Sequence, residues 1–379
     1  MMRRDRMKTE KIANRQFSFI LFTMRATIPL ATLPILTASN ARQDAWVSTL
    51  LVFIGTVIII FLIAGLGARF PEKDVVEMSW FLLGKVPGTL ISLVILWSFL
   101  HMASLQVRIY AEMIIVGFLP ETPIIVLTAA MILVSMVAAF SGVEVIGRMT
   151  DLIFFLFLGM VVLSLGTLFF EADFMNLQPL LSRGFESVLM GTLVPLGMNS
   201  LLLVASMLIP HLNNPQRAVS SALWAVGGAI LVILSTTILV IATVGPEEGA
   251  RVVFPFLKAI RGIRVSEFLE RVEILAVFSW GLGLFVGLST FVYCGAKGVA
   301  RVVGIKDYRH ILLPMGIIWI VLSIHDFDNV FEMRSLLAPE VMGPYGLFLT
   351  IFPYLFLWGG YFIKKIEGHG SQKKEKGEK

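Results

Sequence analysis

Ten long apolar stretches recur along the chain, at about residues 16–36, 45–67, 88–118, 122–140, 146–170, 188–209, 219–244, 270–293, 311–325 and 343–363. Most approach the roughly twenty residues that a helix needs to cross a hydrocarbon layer about 30 Å thick at 1.5 Å per residue. None alternates apolar and polar positions as a barrel strand does, and lipid admits only segments that satisfy their own backbone. The pattern therefore predicts an all-α integral membrane protein of ten transmembrane helices. The connections are too short for a sizeable soluble domain. Three regions result: a basic N-terminus over 1–15, a ten-helix domain over 16–365, and a tail over 366–379 that is charged, lacks apolar residues from Gly368 onward and is expected to be disordered.

Composition agrees with lipid as the main solvent. The chain is 57% hydrophobic and 15% charged, with a mean hydropathy of +0.85, whereas soluble domains carry about 25% charged residues. The net charge of +5 does not point to nucleic acid, because the basic residues sit in short loops and tails beside apolar spans, where they set topology. With the N-terminus in the cytoplasm, 21 of the 31 Lys and Arg residues fall inside, which favours both termini there. The main exception is an outer loop carrying Arg251, Lys258, Arg261 and Arg264. Its apolar residues Val252, Val253, Phe256, Leu257, Ile260 and Ile263 recur at helical spacing, so it reads as an amphipathic helix lying on the outer surface. Cys294 is the single cysteine, which excludes a disulfide framework and a Cys-rich metal site. The first apolar stretch is followed by no small-residue cleavage site and reads as a span, not a removed signal.

Interior helix breakers mark two spans, Pro29 and Pro34 in the first and Gly191, Pro195 and Gly197 in the sixth. Proline deletes a backbone hydrogen bond, and paired interruptions in the two halves of an inverted-repeat protein point to its ligand site. The segments Arg25–Leu30, with Arg25, Ala26, Thr27 and Ile28, and Thr192–Asn199, with Thr192 and Gly197, are the first candidates for ligand contact. Ordinary kinks packed by neighbouring helices are the alternative. In span eight Gly283 and Gly287 form a small-residue face for close packing, and Ser279 and Gly283 are positioned to border a cavity.

Span three carries His101, Ser104, Arg108 and Glu112, of which His101, Arg108 and Glu112 fall within about 40° of one another on the helix. Ionisable groups in lipid pair with one another or line water-filled cavities. Arg108 and Glu112 either neutralise each other as a tie or, with Ser104 and His101, line a ligand, ion or water path. Arg25 lies roughly 13 Å into span one and needs an anionic partner, either Glu112 or a ligand carboxylate. Glu144, Arg148 and Asp151 share one face at the start of span five, as an inner gate or a solvated cluster. No P-loop, metal pair or nucleophile with a base is readable, so no enzyme, cofactor or metal is expected.

Several short signatures spread over residues 10–365 resemble the B subunits of spore germinant receptors. They are Arg15-Gln16-Phe17, Gln43-Asp44-Ala45-Trp46, Arg69-Phe70-Pro71, Leu83-Gly84-Lys85 with Gly88, Leu119-Pro120-Glu121-Thr122-Pro123, Gly142-Val143-Glu144-Val145-Ile146-Gly147-Arg148, Pro179-Leu180-Leu181 and Glu270-Arg271-Val272-Glu273. The resemblance implies the amino acid/polyamine/organocation transporter fold, a LeuT-type five-plus-five inverted repeat with broken helices one and six, in the inner membrane of a spore. It also implies a small-molecule germinant bound at mid-membrane, with an A subunit (a membrane protein) and a C subunit (a lipoprotein) as partners. Arg25-Ala26-Thr27-Ile28 departs from the glycine-containing break of such carriers. The rival readings are a proton- or cation-coupled carrier of amino acids or amines, and a scaffold or channel-wall subunit that binds no nutrient.

Overall fold

The computed structural model describes residues 10–262 and 273–377, with side chains left out at 28–35 and 367–377. All regular structure among them is helical. In chain order the helices are α1 (Asn14–Ala41), α2 (Ala45–Gly67), α3 (Val75–Leu83), α4 (Lys85–Gly117), α5 (Ile124–Phe140), α6 (Val143–Phe170), α7 (Gly184–Gly197), α8 (Ala205–Leu208), α9 (Ala218–Val244), α10 (Pro246–Gly249), α11 (Pro255–Arg261), α12 (Glu273–Val303), α13 (Arg309–His325), α14 (Val330–Leu336) and α15 (Pro339–Gly377). A helix lies over each of the ten apolar stretches. Seven helical segments among the described residues are long and apolar enough to cross a membrane, or eight when α13 and α14, bent by 103°, count as one span. α5 is a shorter apolar helix.

Local chemistry sets several boundaries. Asp74 accepts from the N–H groups of Val76 and Glu77, both at 3.1 Å, while Glu77 reaches back to the Asp74 N–H at 3.3 Å, a reciprocal cap that starts α3. Asn329 caps α14 through the N–H groups of Phe331 and Glu332. Between α5 and α6, Gly142 has φ +94°, and the Glu10 carboxylate occupies the place where a Cβ would stand. Only glycine fits that turn.

α1 is the axis of the molecule, packed by α6, α7, α9 and α12, with Phe17, Ile20, Leu21 and Met24 fully buried. Two faces follow from the contacts. Residues 10–16, the α5–α6 turn, residues 209–214, the start of α3 and the end of α12 meet on the N-terminal face. On the far face Arg42 pairs with Glu247 at 2.9 Å and Arg261 donates to the Gly117 carbonyl at 2.8 Å.

Two expectations are corrected. α1 is helical from Asn14 to Ala41, so Pro29 and Pro34 do not divide the first span; neighbouring helices re-satisfy the groups a proline frees in a membrane helix. The outer loop does form a helix with its charged residues Lys258 and Arg261 exposed, but its apolar face is covered by protein. α11 buries Phe256, Leu257 and Ile260, and Phe256 and Ile260 pack against Leu168 of α6, Leu239 of α9 and Ala276 of α12, because the ends of those helices cover its apolar face. Ile263, Arg264 and the Glu270-Arg271-Val272 part of the motif lie outside the described residues, as does residue 1–9 of the basic N-terminus; of the tail, only the backbone of α15 to Gly377 is described.

Candidate functional site

The centre of the molecule is assembled where α1, α4 and α12 converge on the span-six segment. Span six changes character at its middle: α7 ends at Gly197 and residues Met198–Val204 wind as a 3₁₀ helix before α8. Pro195, inside α7, removes one donor just before the change. A mid-span stretch of 3₁₀ marks a hinge or local strain. α1, α4 and α12 all pack against this segment.

Arg25 is 0% exposed, and its Nε and both terminal nitrogens have no hydrogen-bond partner among the described residues. Of the two partners the sequence offers Arg25, Glu112 is instead paired with Arg108 at 2.5 Å. Thr23, Gln106, Asn199, Ser200 and Ser289 add further buried polar atoms without partners, from α1, α4, span six and α12. Buried polar groups are ordinarily satisfied, so the buried guanidinium of Arg25, with none of its three nitrogens partnered among the described residues, is the notable property of the site.

The other site residues divide between contact and tie. Ala26 and Thr27 are buried, and Thr27 donates to the Thr23 carbonyl at 2.5 Å. A Cβ on Gly283 would run into the Thr27 hydroxyl, and one on Gly287 would lie 3.4 Å from Met24 and 3.7 Å from the Gln106 side chain. The glycine face of α12 thus seats α1. Ser279 is buried and bonds the Ala276 carbonyl at 2.8 Å. Thr192 bonds the Val188 carbonyl at 2.8 Å, and Gly197 is pressed against the backbone of Met342 and Gly343 in α15. The side chain of Ile28 is outside the described set.

The α4 stripe is tied to the corner between α13 and α14. Arg108 donates to the Phe327 carbonyl at 2.9 Å and lies over the Phe327 ring at 4.2 Å. His101 faces Asp326 at 3.7 Å and the Tyr345 hydroxyl at 3.2 Å, and Trp97 donates to that hydroxyl at 2.8 Å. Ser104 bonds the His101 carbonyl at 2.9 Å. Asp326, Phe327 and Tyr345 were not read from the sequence; the His-Asp-Phe-Asp run at the end of an apolar stretch was the available signal.

On the N-terminal face Glu144 and Arg148 form an exposed pair at 2.5 Å, and Asp151 bonds Gln16 at 2.8 Å and Arg15 at 3.1 Å. A second network there went unread. Ile12 pairs with the strand-like 211–213 segment, donating to the His211 carbonyl at 2.8 Å and accepting from the Asn213 N–H at 3.0 Å. The His211 ring meets the Glu10 carbonyl through Nδ1 at 2.9 Å, and Lys297 donates to Nε2 at 2.5 Å and to the Tyr293 hydroxyl at 2.9 Å. The Glu10 carboxylate accepts from the Val143 N–H at 2.9 Å. Asp74, paired with Arg301 at 3.0 Å, has its carboxyl pushed up by burial against the pull of Arg301 and Lys297.

Comparisons with known proteins agree with this architecture. The L-phenylalanine complex of MhsT superposes with a TM-score of 0.64 at 17% identity, covering 94% of this chain and 98% of that one. Mhp1, a nucleobase-cation-symport-1 family transporter in a closed conformation with bromovinylhydantoin bound, gives 0.65 at 12% identity, covering 90% and 78%. These fix an all-α membrane fold of the LeuT type. Spore germination protein KB of Bacillus subtilis (strain 168) is 28% identical over 380 residues, 97% of this chain and 100% of that protein. Spore germination protein GerQB of Bacillus cereus is 23% identical over 320 residues, 82% and 85%. The profile of the Spore germination protein family, Spore_permease, matches residues 11–330, and this multi-pass membrane chain belongs to that family.

Proposed function

We propose that the chain is the nutrient-sensing membrane subunit of a spore germination receptor, with ten spans in the spore inner membrane and both termini in the cytoplasm. It binds a small germinant at mid-membrane between α1, α4, the 3₁₀ segment of span six and α12, and works with a membrane-embedded A subunit and a lipoprotein C subunit. The observation that carries this reading is the Arg25 guanidinium, fully buried with three nitrogens that have no partner among the described residues. An unpaired buried charge is costly, and a ligand carboxylate or similar anion is the natural counter-charge. Ligand binding acts by favouring one of two conformations, and the span-six 3₁₀ segment is the element best suited to differ between them.

The test is the germinant dose response of spores that depend on this chain. Arg25→Gln, at unchanged chain abundance, raises the half-maximal germinant concentration at least about tenfold, since a charge-assisted pair is worth about 1.5–3 kcal/mol. An unchanged dose response, or concentrative uptake of the germinant by the purified chain alone in proteoliposomes, overturns the reading.

A further inference from the structure

A cavity of about 280 Å³ opens on the far face, lined by Leu36, Ser39 and Asn40 of α1, Ala250 and Val253 of the α10–α11 connection, and the α14–α15 corner from Met333 to Pro339. Among the described residues its wall is apolar except for Ser39, Asn40 and Arg334, Arg334 is the one charged residue in it, and no acid lines it.

The charges around the mouth sharpen this asymmetry. Glu247 is committed to Arg42 at 2.9 Å and Glu248 to Lys258, while Glu332 is turned to the Asp328 N–H at 2.8 Å as part of the α14 cap. Glu340 is exposed in the first turn of α15 and is not part of the lining. Arg251 and Arg334 have no ion pair among the described residues, and they are held together by a hydrogen bond from the Arg334 guanidinium to the Arg251 carbonyl. α15, a helix of 39 residues, begins at the cavity with Pro339, so its positive dipole end points there as well. Basic residues on this side oppose the charge bias that orients the chain; Arg261 is engaged by the Gly117 carbonyl and the Phe118 ring, while Arg334 has the Arg251 carbonyl alone and no acid, among the described residues.

We propose that this cavity is a second small-molecule site, separate from the one at Arg25, which takes an apolar carboxylate of about amino-acid size. The volume is near the lower end of small-molecule pockets, about 300 Å³, and the composition matches an apolar body with one anionic group: aliphatic wall from Leu36, Val253, Met333 and Leu337, positive charge from Arg334 at the rim. Part of its wall belongs to α14, which follows the corner that Arg108 clamps through Phe327.

Binding of 4-methylvalerate to the purified full chain in lipid nanodiscs, followed by calorimetry and saturation-transfer NMR, tests this, with 4-methylpentan-1-ol and isoamylamine as uncharged and cationic counterparts. The carboxylate binds, and the alcohol and amine bind at least about tenfold more weakly. Ala338→Trp, which fills the cavity, abolishes binding; R334Q weakens it about tenfold and R334K restores most of it. Arg25→Met leaves it unchanged. Equal binding of the three probes, or full binding to both Ala338→Trp and R334Q, overturns the proposal. So does loss of binding in Arg25→Met with the cavity variants unaffected, an outcome that assigns the probe to mid-membrane and leaves the germinant reading standing.

Discussion

At the scale of single residues, the two buried arginines have opposite fates. Arg108 is committed through both terminal nitrogens, to Glu112 at 2.5 Å and to the Phe327 carbonyl at 2.9 Å, whereas none of the three Arg25 nitrogens has a partner among the described residues. Removing a partner and removing an orphan then have opposite signs. Glu112→Gln strands the Arg108 charge, and breaking a buried pair costs about 3–5 kcal/mol, so chain abundance and the melting temperature in detergent both fall. Arg25→Met deletes a charge that costs about 2.5–3.5 kcal/mol in mid-membrane, so the melting temperature holds or rises while the germinant response is lost. Equal losses of stability in the two variants, read by a fluorescence melt, count against the distinction. The sequence already placed both arginines in the interior and offered Glu112 to either. It favoured neither, because an i,i+4 neighbour is legible from spacing while His101–Asp326 and Arg108–Phe327 join positions more than two hundred residues apart.

At the scale of elements, helix existence was legible and helix continuity was not. Apolar length alone locates the helices, but whether a proline breaks one depends on the neighbours that re-satisfy its freed carbonyl; α1 continues through two prolines while span six turns to 3₁₀ after one. The glycines repeat this lesson. Gly197 reads as a ligand-contact position, yet a Cβ there would stand 2.6 Å from the Met342 carbonyl, and one on Gly346 would run into the Gly197 carbonyl. The two are the crossing point of span six and α15, backbone against backbone. Gly359, on the same α15, has nothing within 4 Å. Gly346→Ala therefore forces the helices apart and lowers the melting temperature, while Gly359→Ala gains helix propensity of about 1 kcal/mol and raises it slightly. Matching shifts in both would remove the close crossing from the account.

At the scale of the whole molecule, the N-terminal face is shut by a latch that no local pattern announces: an extended segment, 10–13, clasped to 211–213, with His211 bridging the Glu10 carbonyl and Lys297 of α12. Charge clusters such as Glu144-Arg148-Asp151 are visible in a sequence, but a lone isoleucine pairing across two hundred residues is not. The latch connects the start of α1 to the end of span six, the two elements that flank the proposed germinant site, so a conformational change at that site has to strain it. The protein carries its own reporter. Cys294, the single cysteine, is 0% exposed and sits beside Tyr293 and one turn from Lys297. Ile12→Pro deletes the N–H that bonds the His211 carbonyl, and a lost hydrogen bond with a stranded acceptor costs about 1–3 kcal/mol. The open population rises about tenfold for each 1.4 kcal/mol, and maleimide labelling of Cys294 in membrane vesicles accelerates with it, as it does in Glu10→Ala to a smaller degree. Labelling at the wild-type rate in both variants would mean that the N-terminal face opens elsewhere or not at all; faster labelling in the variants, and faster still when the germinant is added to the wild type, identifies the latch as the element that yields when the site is filled.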